Sequence, residues 1–278
     1  MGHEFTVCMV VTRNDSPEHF NVALLSLTCQ SMKPSEILIV DNGGLTDRHY
    51  EIIASIDDEL SIRLVRIANL SPVGQARNIA LHAARYKVIA VADPDDVNEP
   101  DRFMKLVPEL NDSVRMVGSW VQEFSREKSD RQIERRVPCD FVDIIRYSRF
   151  RSPVNNPTIC YFKNDALGVG GYNTSLRFGE DYDLVMKFIR NGKIIRNIPI
   201  VTVNFRIGDA KILHKKRSGL FLLKEEIKLH RIFLVNGDIS LFDFFIVIAI
   251  KMLVRLLPCS SFEMFYTKVL RKHEWLCN

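Results

Sequence analysis

Residues 88–96 read VIAVADPDD, and this stretch decides the fold. Val88–Ala92 is a run of apolar, partly β-branched residues with the length of a buried strand. It stops at Asp93-Pro94-Asp95-Asp96, where carboxylates crowd the chain. A strand covered on both faces belongs to a parallel sheet flanked by helices. Polar residues at the carboxyl end of such a strand mark the ligand crevice of an open α/β fold. At a separation near ~6 Å and an effective dielectric of about 20, each carboxylate pair repels by roughly 3 kcal/mol. An oxygen-preferring divalent cation, Mg2+ or Mn2+, offsets that repulsion and can bridge to a diphosphate. A plain Asp-rich turn, with Asp96 or Asn98 capping the next helix, accounts for the same residues without a metal.

Working outward from this stretch, the same grammar repeats. Residues 6–12, 36–40 and 63–68 read as strands. Helices are expected over about 18–29, with Ser16 as N-cap and Pro17 in the first turn, and over about 73–85. Strands alternating with helices give βαβ units and a mostly parallel sheet. Three strands end in polar residues: Thr12-Arg13-Asn14, Asp41-Asn42 and Asp93-Pro94-Asp95-Asp96. Those ends predict one shared site. Downstream, a helix is expected over 100–110, a strand over 116–124, a charged loop over 125–136 and a short helix over 140–147. A strand over 155–162 and a glycine turn over 168–172 follow, and Glu180-Asp181 open a helix to about Asn191.

Two further motifs flank the crevice. Gly74-Gln75-Ala76-Arg77-Asn78 opens the helix over 73–85, and Gly179-Glu180-Asp181-Tyr182-Asp183 opens the one after the glycine turn. The acid pair either presents a carboxylate to the crevice or caps its own helix, where the dipole favours negative charge.

Charge is unevenly distributed. The chain has 278 residues with 38 Lys and Arg against 34 Asp and Glu. Residues 1–205 hold 25 basic against 27 acidic side chains, and residues 206–278 hold 13 against 7. A near-neutral body with a basic tail argues against nucleic acid as the partner of the whole protein. The six cysteines show no CxxC pair and no zinc spacing. Cys8, Cys29 and Cys160 read as small core residues, which fits a reducing cytoplasm. The first apolar run is too short for a signal peptide.

The tail is expected to be helical over 219–235 and 241–257. The second stretch has no charge-free run longer than residues 244–250, well short of the roughly 20 residues a membrane span needs. It reads as a core helix, or as an interfacial helix holding Lys251, Arg255, Lys268, Arg271 and Lys272 near anionic headgroups.

The ordered set of motifs resembles family-two glycosyltransferases of the GT-A fold, closest to those that build bacterial capsule, exopolysaccharide and O-antigen repeat units. The residues that carry it are Asn14, Ser26-Leu27 and Gln30, Pro34 with Glu36-Ile37 and Ile39-Val40-Asp41, and Asn69 with Gly74, Ala76, Arg77 and Asn78. Asp93-x-Asp95-Asp96, Asn156-Pro157-Thr158, Gly170-Gly171-Tyr172, Glu180-Asp181-Tyr182-Asp183-Leu184, Gly192 and Arg206 complete it. The resemblance spans about residues 5–220. It implies a Rossmann-like, mixed but mostly parallel sheet flanked by helices. Residues 1–205 would form the catalytic domain, with a nucleotide-sugar half over about 1–100 and an acceptor half over about 101–205. A basic, amphipathic helical region over 206–278 would follow.

The resemblance further implies an inverting, metal-dependent hexosyltransferase using a UDP-sugar, with glucose or galactose as the donated sugar. The acceptor would be GlcNAc or GalNAc on undecaprenyl diphosphate, met at the cytoplasmic face of the cell membrane. Asp41 would contact uracil, with Thr12, Asn14, Arg77, Asn78, Asp93 and Arg206 also on the donor. Asp95 would be the principal metal ligand with Asp93 and Asp96, and His214 a further candidate. Asp181 would be the general base, beside Glu180. Two departures stand out: Asn42 replaces the usual second acid after Asp41, and Val11-Thr12-Arg13-Asn14 replaces the commoner Pro-x-Tyr-Asn. A non-catalytic nucleotide-sugar-binding scaffold, or a transferase acting on a protein or soluble glycan, are the competing readings.

Overall fold

A computed structural model describes residues 4–56, 60–126, 130, 133–209, 212, 214, 218–255 and 257–258. Its first half alternates strand and helix: β1 (Phe5–Val11), α1 (Pro17–Thr28), β2 (Glu36–Asn42), α2 (Asp47–Ile56), β3 (Ile62–Ile67), α3 (Val73–Ala83) and β4 (Val88–Ala92). The short β5 (Val97–Asn98) and α4 (Arg102–Leu106) lead into β6 (Val114–Phe124) and β7 (Ile133–Arg135). Then come α5 (Phe141–Tyr147), β8 (Cys160–Phe162), α6 (Lys163–Gly168), α7 (Glu180–Arg190) and β9 (Ile194–Arg206). Two helices close the described chain, α8 (Leu220–Val235) and α9 (Leu241–Arg255).

All strands join one sheet in the order β3-β2-β1-β4-β8-β6-β9-β5, with β7 on the side of β6. β3, β2, β1 and β4 run parallel. β8 runs antiparallel to both β4 and β6, and β9 is parallel to β6. The sheet is therefore mixed but mostly parallel, as the alternating pattern implies.

Side-chain alternation along the strands builds two cores. Phe5, Val7 and Met9 of β1 face one layer with Phe20, Leu24 and Leu27 of α1 and Phe103 of α4. Cys8 faces the other layer with Ala76 and Ala80 of α3 and Leu184 and Phe188 of α7. A third core joins Tyr182 and Met186 of α7 to Leu229 and Phe233 of α8. The helical tail thus docks directly on the helix that carries Glu180 and Asp181.

Several elements differ from the sequence reading. β9 lies in a stretch with no clean strand pattern, because Pro199 sits where the pairing with β6 slips between Ser119 and Trp120. Bulges are where a strand tolerates proline. The strand expected over 155–162 shortens to β8, since Asn156–Thr158 forms a single 3-10 turn. Within the charged loop, β7 pairs with β6. Cys8 and Cys160 are buried, but Cys29 is exposed at the end of α1 and is no core residue.

The tail brings a larger correction. Lys251 Nζ and Arg255 Nε reach Glu226 of α8 at 2.8 and 2.9 Å, with Glu226 almost fully buried. Their charges are thus turned inward onto a carboxylate and not outward toward headgroups. No helix among the described residues is long and apolar enough to cross a membrane.

Candidate active site

The carboxyl ends of β2, β1 and β4 lie side by side, as the sheet order dictates. At the end of β1, the Thr12 amide and hydroxyl both donate to Asp15 Oδ2, at 2.7 and 2.9 Å. This turn sets the exposed Asn14 at the rim of the crevice. Arg13 Nε donates to Gly44 O at 3.2 Å and ties the β1 end to the β2 end.

At the end of β2, Asp41 is buried with both oxygens engaged. Gly44 N–H donates to Oδ1 at 2.8 Å and the Tyr50 hydroxyl to Oδ2 at 2.7 Å. That hydrogen bond pushes the Tyr50 phenol above its ordinary pKa. The neighbouring Asn42 donates from Nδ2 to Ser71 O and accepts from Ser71 N, both at 2.9 Å. This exchange explains the departure at position 42, because a carboxylate accepts but cannot donate.

Arg77 is the junction of the site. From the second turn of α3 its Nη1 reaches Glu180 Oε1 at 2.9 Å and Asn156 Oδ1 at 3.3 Å, and its Nη2 reaches Asp93 Oδ1 at 3.4 Å. The guanidinium lies over the Tyr172 ring, 5.6 Å from its centre. Burial raises the Glu180 carboxyl to about 7; Arg77 pulls it down, and the Asp181 charge pushes it up. Asp93 is also raised by burial, against the pull of Arg77. Asp181 accepts from Tyr182 N–H at 2.8 Å through Oδ1.

Two glycines set these side chains in place. Gly179, the residue before α7, has φ +80°, and a Cβ there would meet Leu229 Cδ2 of α8 at 2.6 Å. Gly171 has φ +64°, and a Cβ there would meet Asn78 Oδ1 at 2.5 Å. Asn78 comes that close because it clamps the glycine turn, donating from Nδ2 to Tyr172 O and accepting from Tyr172 N, both at 2.8 Å. Asn78, expected on the donor, is thus committed to holding the Gly170-Gly171-Tyr172 turn.

The acidic loop forms a second cluster beside this junction. Asp96 Oδ1 accepts from Arg206 N at 2.8 Å, and Arg206 Nε donates to Asp95 O at 3.0 Å. The Arg206 guanidinium lies 4.3 Å over the Phe124 ring. Beneath the loop, fully buried Arg102 donates to Val91 O at 2.6 Å and to Asn98 Oδ1, strapping the entry of the loop to its exit. Ser26 Oγ accepts from Asn98 N and Nδ2, at 3.0 and 2.8 Å, and Gln30 Nε2 donates to Glu99 O at 2.7 Å. Ser26 of α1 and Gln30 just past its end therefore serve as a support for the acidic loop.

These residues fit a divalent metal by the chemistry of their donors. Asp96 is buried, and its Oδ2 has no hydrogen-bond partner among the described residues. Burial, then the Asp95 and Asp93 charges, hold its carboxyl well above the usual carboxylate range. Such a crowding of carboxylates favours a further cation, and their oxygen donors suit Mg2+ or Mn2+. Among the described residues no group of three acid, Cys or His side chains is placed to hold an ion. The remaining ligands would then be diphosphate oxygens and water, as a small hard cation prefers. His214 is engaged elsewhere: its Nε2 pairs with Leu257 O at 3.0 Å and its Nδ1 with Ser218 Oγ at 3.3 Å.

Sequence motifs alone do not mark Tyr50, Asn156 or Arg102 as site residues. Asn156 carried a signal, since Asn156-Pro157-Thr158 belongs to the motif set. Arg102 showed only as one charge beside Asp101 and Lys105 at a helix start, and Tyr50 gave none.

Comparison with known proteins bears directly on this geometry. The family described as Glycosyl transferase family 2 matches residues 7–170. A UDP-Gal:alpha-D-GlcNAc-diphosphoundecaprenol beta-1,3-galactosyltransferase of Escherichia coli is 33% identical over 271 residues, covering 97% of each chain. The amylovoran biosynthesis glycosyltransferase AmsE of Erwinia amylovora is 26% identical, over 95% of this chain and 98% of its own. Among solved structures, residues 1–349 of S. aureus TarS superpose with a TM-score of 0.62 at 17% identity, covering 96% of this chain and 75% of that one. The mannosyltransferase PcManGT of Pyrobaculum calidifontis, in complex with GDP-Man and Mn2+, gives 0.62 at 16% identity, over 97% of this chain and 81% of its own. Sheet order and strand-end chemistry agree with this kinship, and the chain belongs to glycosyl transferase family 2, as a glycosyltransferase of GT-A fold.

Proposed function

We propose that the chain moves one hexose from a UDP-sugar to GlcNAc or GalNAc carried on undecaprenyl diphosphate, with inversion at the anomeric carbon, at the inner face of the cell membrane. The observation that carries this reading is the Arg77 junction, which binds Asp93 of the acidic loop and Glu180 of α7 in one contact set. It brings Asp93 of the acidic loop beside the acid pair at the start of α7, which supports this reading. Likeness along 97% of both chains to an enzyme named for UDP-Gal and a diphosphoundecaprenol acceptor favours galactose and a lipid-linked acceptor.

In this reading Asp41, Thr12 and Asn14 line the uracil end of the crevice. Asp95, with one of Asp93 and Asp96, would hold the divalent metal, which when bound neutralises charge on the diphosphate. Asp181 accepts the proton of the acceptor hydroxyl as the new C–O bond forms and the bond from the anomeric carbon to the β-phosphate oxygen breaks, releasing UDP. Its Oδ2 accepts no hydrogen bond among the described residues, while Tyr182 N–H fixes Oδ1. Glu180, held by Arg77, keeps the start of α7 in register with Asp93. Arg206 and the buried Arg102 balance the charge of the loop from above and below.

The test is a screen of nucleotide sugars against a synthetic GlcNAc- or GalNAc-diphosphate-lipid, run with Mn2+, Mg2+ and EDTA. UDP-Gal turnover lost in EDTA is expected. Asp181→Asn should abolish transfer while UDP binding persists, and Asp95→Ala should weaken metal-dependent UDP binding. Full transfer by either folded variant would remove these assignments.

A further inference from the structure

From the way α9 is rolled, we infer that its outer face is a bilayer-docking surface, an apolar stripe that enters the interface of an anionic phospholipid membrane. At about 100° per residue, positions 241, 242, 245, 249, 252 and 253 fall within about 120° of one another. The residues there are Leu241, Phe242, Phe245, Ala249, Met252 and Leu253, and all are exposed. Phe242 is 74% exposed, Leu253 69% and Phe245 63%. These are large apolar groups in one contiguous stripe, where single exposed ones would be ordinary.

The roll is fixed from the opposite side. Val247 and Val254 are buried, and Arg255 Nε and Lys251 Nζ bond to Glu226 of α8 at 2.9 and 2.8 Å. Turning the stripe inward would leave the buried Glu226 without its cations. The Gly219 amide donates to Arg255 O at 3.0 Å, so exposed Leu220 and Phe221 sit beside the far end of the stripe and extend it. The one acid of α9, Asp243, has Arg149 at 4.0 Å and a cap from Ser240, which mutes its charge.

A lipid surface fits this patch better than another chain does. The stripe follows one helix of 15 residues, about 22 Å long, too short to span a bilayer of ~30 Å but suited to lie in its interface. The sequence from 206 onward holds 13 basic against 7 acidic residues, and among the described residues Lys251 and Arg255 are paired with Glu226. Lys268, Arg271 and Lys272, which lie outside the described residues, follow α9 in the sequence and give it the sign that anionic headgroups attract. The inference rests on the lipid-linked acceptor proposed above and adds which face meets the lipid.

The experiment is flotation of the full chain with phosphatidylglycerol–phosphatidylethanolamine vesicles, beside transfer assays on two acceptors. One acceptor is embedded in the vesicles and the other is a short-chain, water-soluble diphosphate-linked sugar. The Phe242→Ser/Phe245→Ser double variant should lose vesicle binding by about tenfold or more. It should lose transfer to the embedded acceptor and keep transfer to the soluble one. Val235→Ser, also highly exposed but at the end of α8, should change neither. Wild-type vesicle binding by the folded double variant overturns the inference. So does a wild-type dimer in solution, without lipid, that the double variant dissolves, because the stripe is then an interface between copies. If the wild type transfers to neither acceptor, the proposed function fails while flotation still judges the stripe.

Discussion

Nη1 of Arg77 lies 2.9 Å from Oε1 of Glu180, joining the second turn of α3 to the first turn of α7 across the mouth of the crevice. Neither residue is near the other in sequence, and both are largely shielded from water. The pair therefore acts as a buried salt bridge, whose value depends on both partners remaining charged.

The protonation of Glu180 makes that dependence measurable. Its carboxyl, raised to about 7, is ionised at pH 8 and largely protonated at pH 5.5. Arg77→Met should therefore destabilise the fold by about 2–4 kcal/mol at pH 8, and by distinctly less at pH 5.5. Urea unfolding of both proteins at the two pH values checks this. A penalty independent of pH would contradict it.

The glycine turn makes a different prediction. Gly171→Ala forces a left-handed alanine and drives a methyl into Asn78, so a loss of about 2–3 kcal/mol is expected. Asn78→Ala strands the Tyr172 amide and carbonyl and should cost about 1–3 kcal/mol. The double variant should cost less than the sum, because removing the Asn78 side chain relieves the clash. Additive losses in a double-mutant cycle would show that the two residues do not meet.

Position 42 tests the departure from the usual acid. Asn42→Asp keeps the bond from Ser71 N–H and sets a carboxylate oxygen against Ser71 O in a buried site. A loss of about 2–4 kcal/mol is expected at pH 7.5, shrinking near pH 4 as the new carboxyl takes up a proton. Thermal melts at both pH values decide the matter.

His230 on α8 supplies a pH response in the tail. Burial lowers its pKa to about 4, from an ordinary value near 6.5. The native state thus binds fewer protons than the unfolded chain between those values, so stability rises with pH there. The contribution is full above about pH 6.5 and is lost as pH falls through about 4, a change of roughly 3 kcal/mol. His230→Phe, which can keep the edge-on contacts with Tyr182 and Phe233, should remove this component. The stability difference between variant and wild type should therefore grow in the variant's favour from pH 7 to pH 4.5.

What the sequence disclosed followed the physics of each element. β1, β2 and β4 are continuous apolar runs because both faces are covered, and their polar ends announced the crevice. β9 stayed hidden because Pro199 and the buried Asn197 and Asn204 break the run, while the contacts that satisfy them come from distant loops. α2 begins just beyond the Gly43-Gly44 turn and buries only His49, Ile52 and Ile56, a stripe too thin to read. With it went Tyr50, the partner of Asp41. Lys251 and Arg255 looked like outward charges because their partner, Glu226, lies 25 and 29 residues upstream and meets them only once α8 and α9 pair.

Leu229 fills the space beside Gly179 where any larger residue would need a Cβ. A shortened protein ending near Arg206 would keep every motif residue named for the chemistry. It would lose the wall against which the turn into Glu180 and Asp181 is set, along with Phe233 packed on Tyr182. The smallest unit able to transfer sugar therefore extends past the last motif, and its C-terminal boundary is set by the packing of α8 on α7.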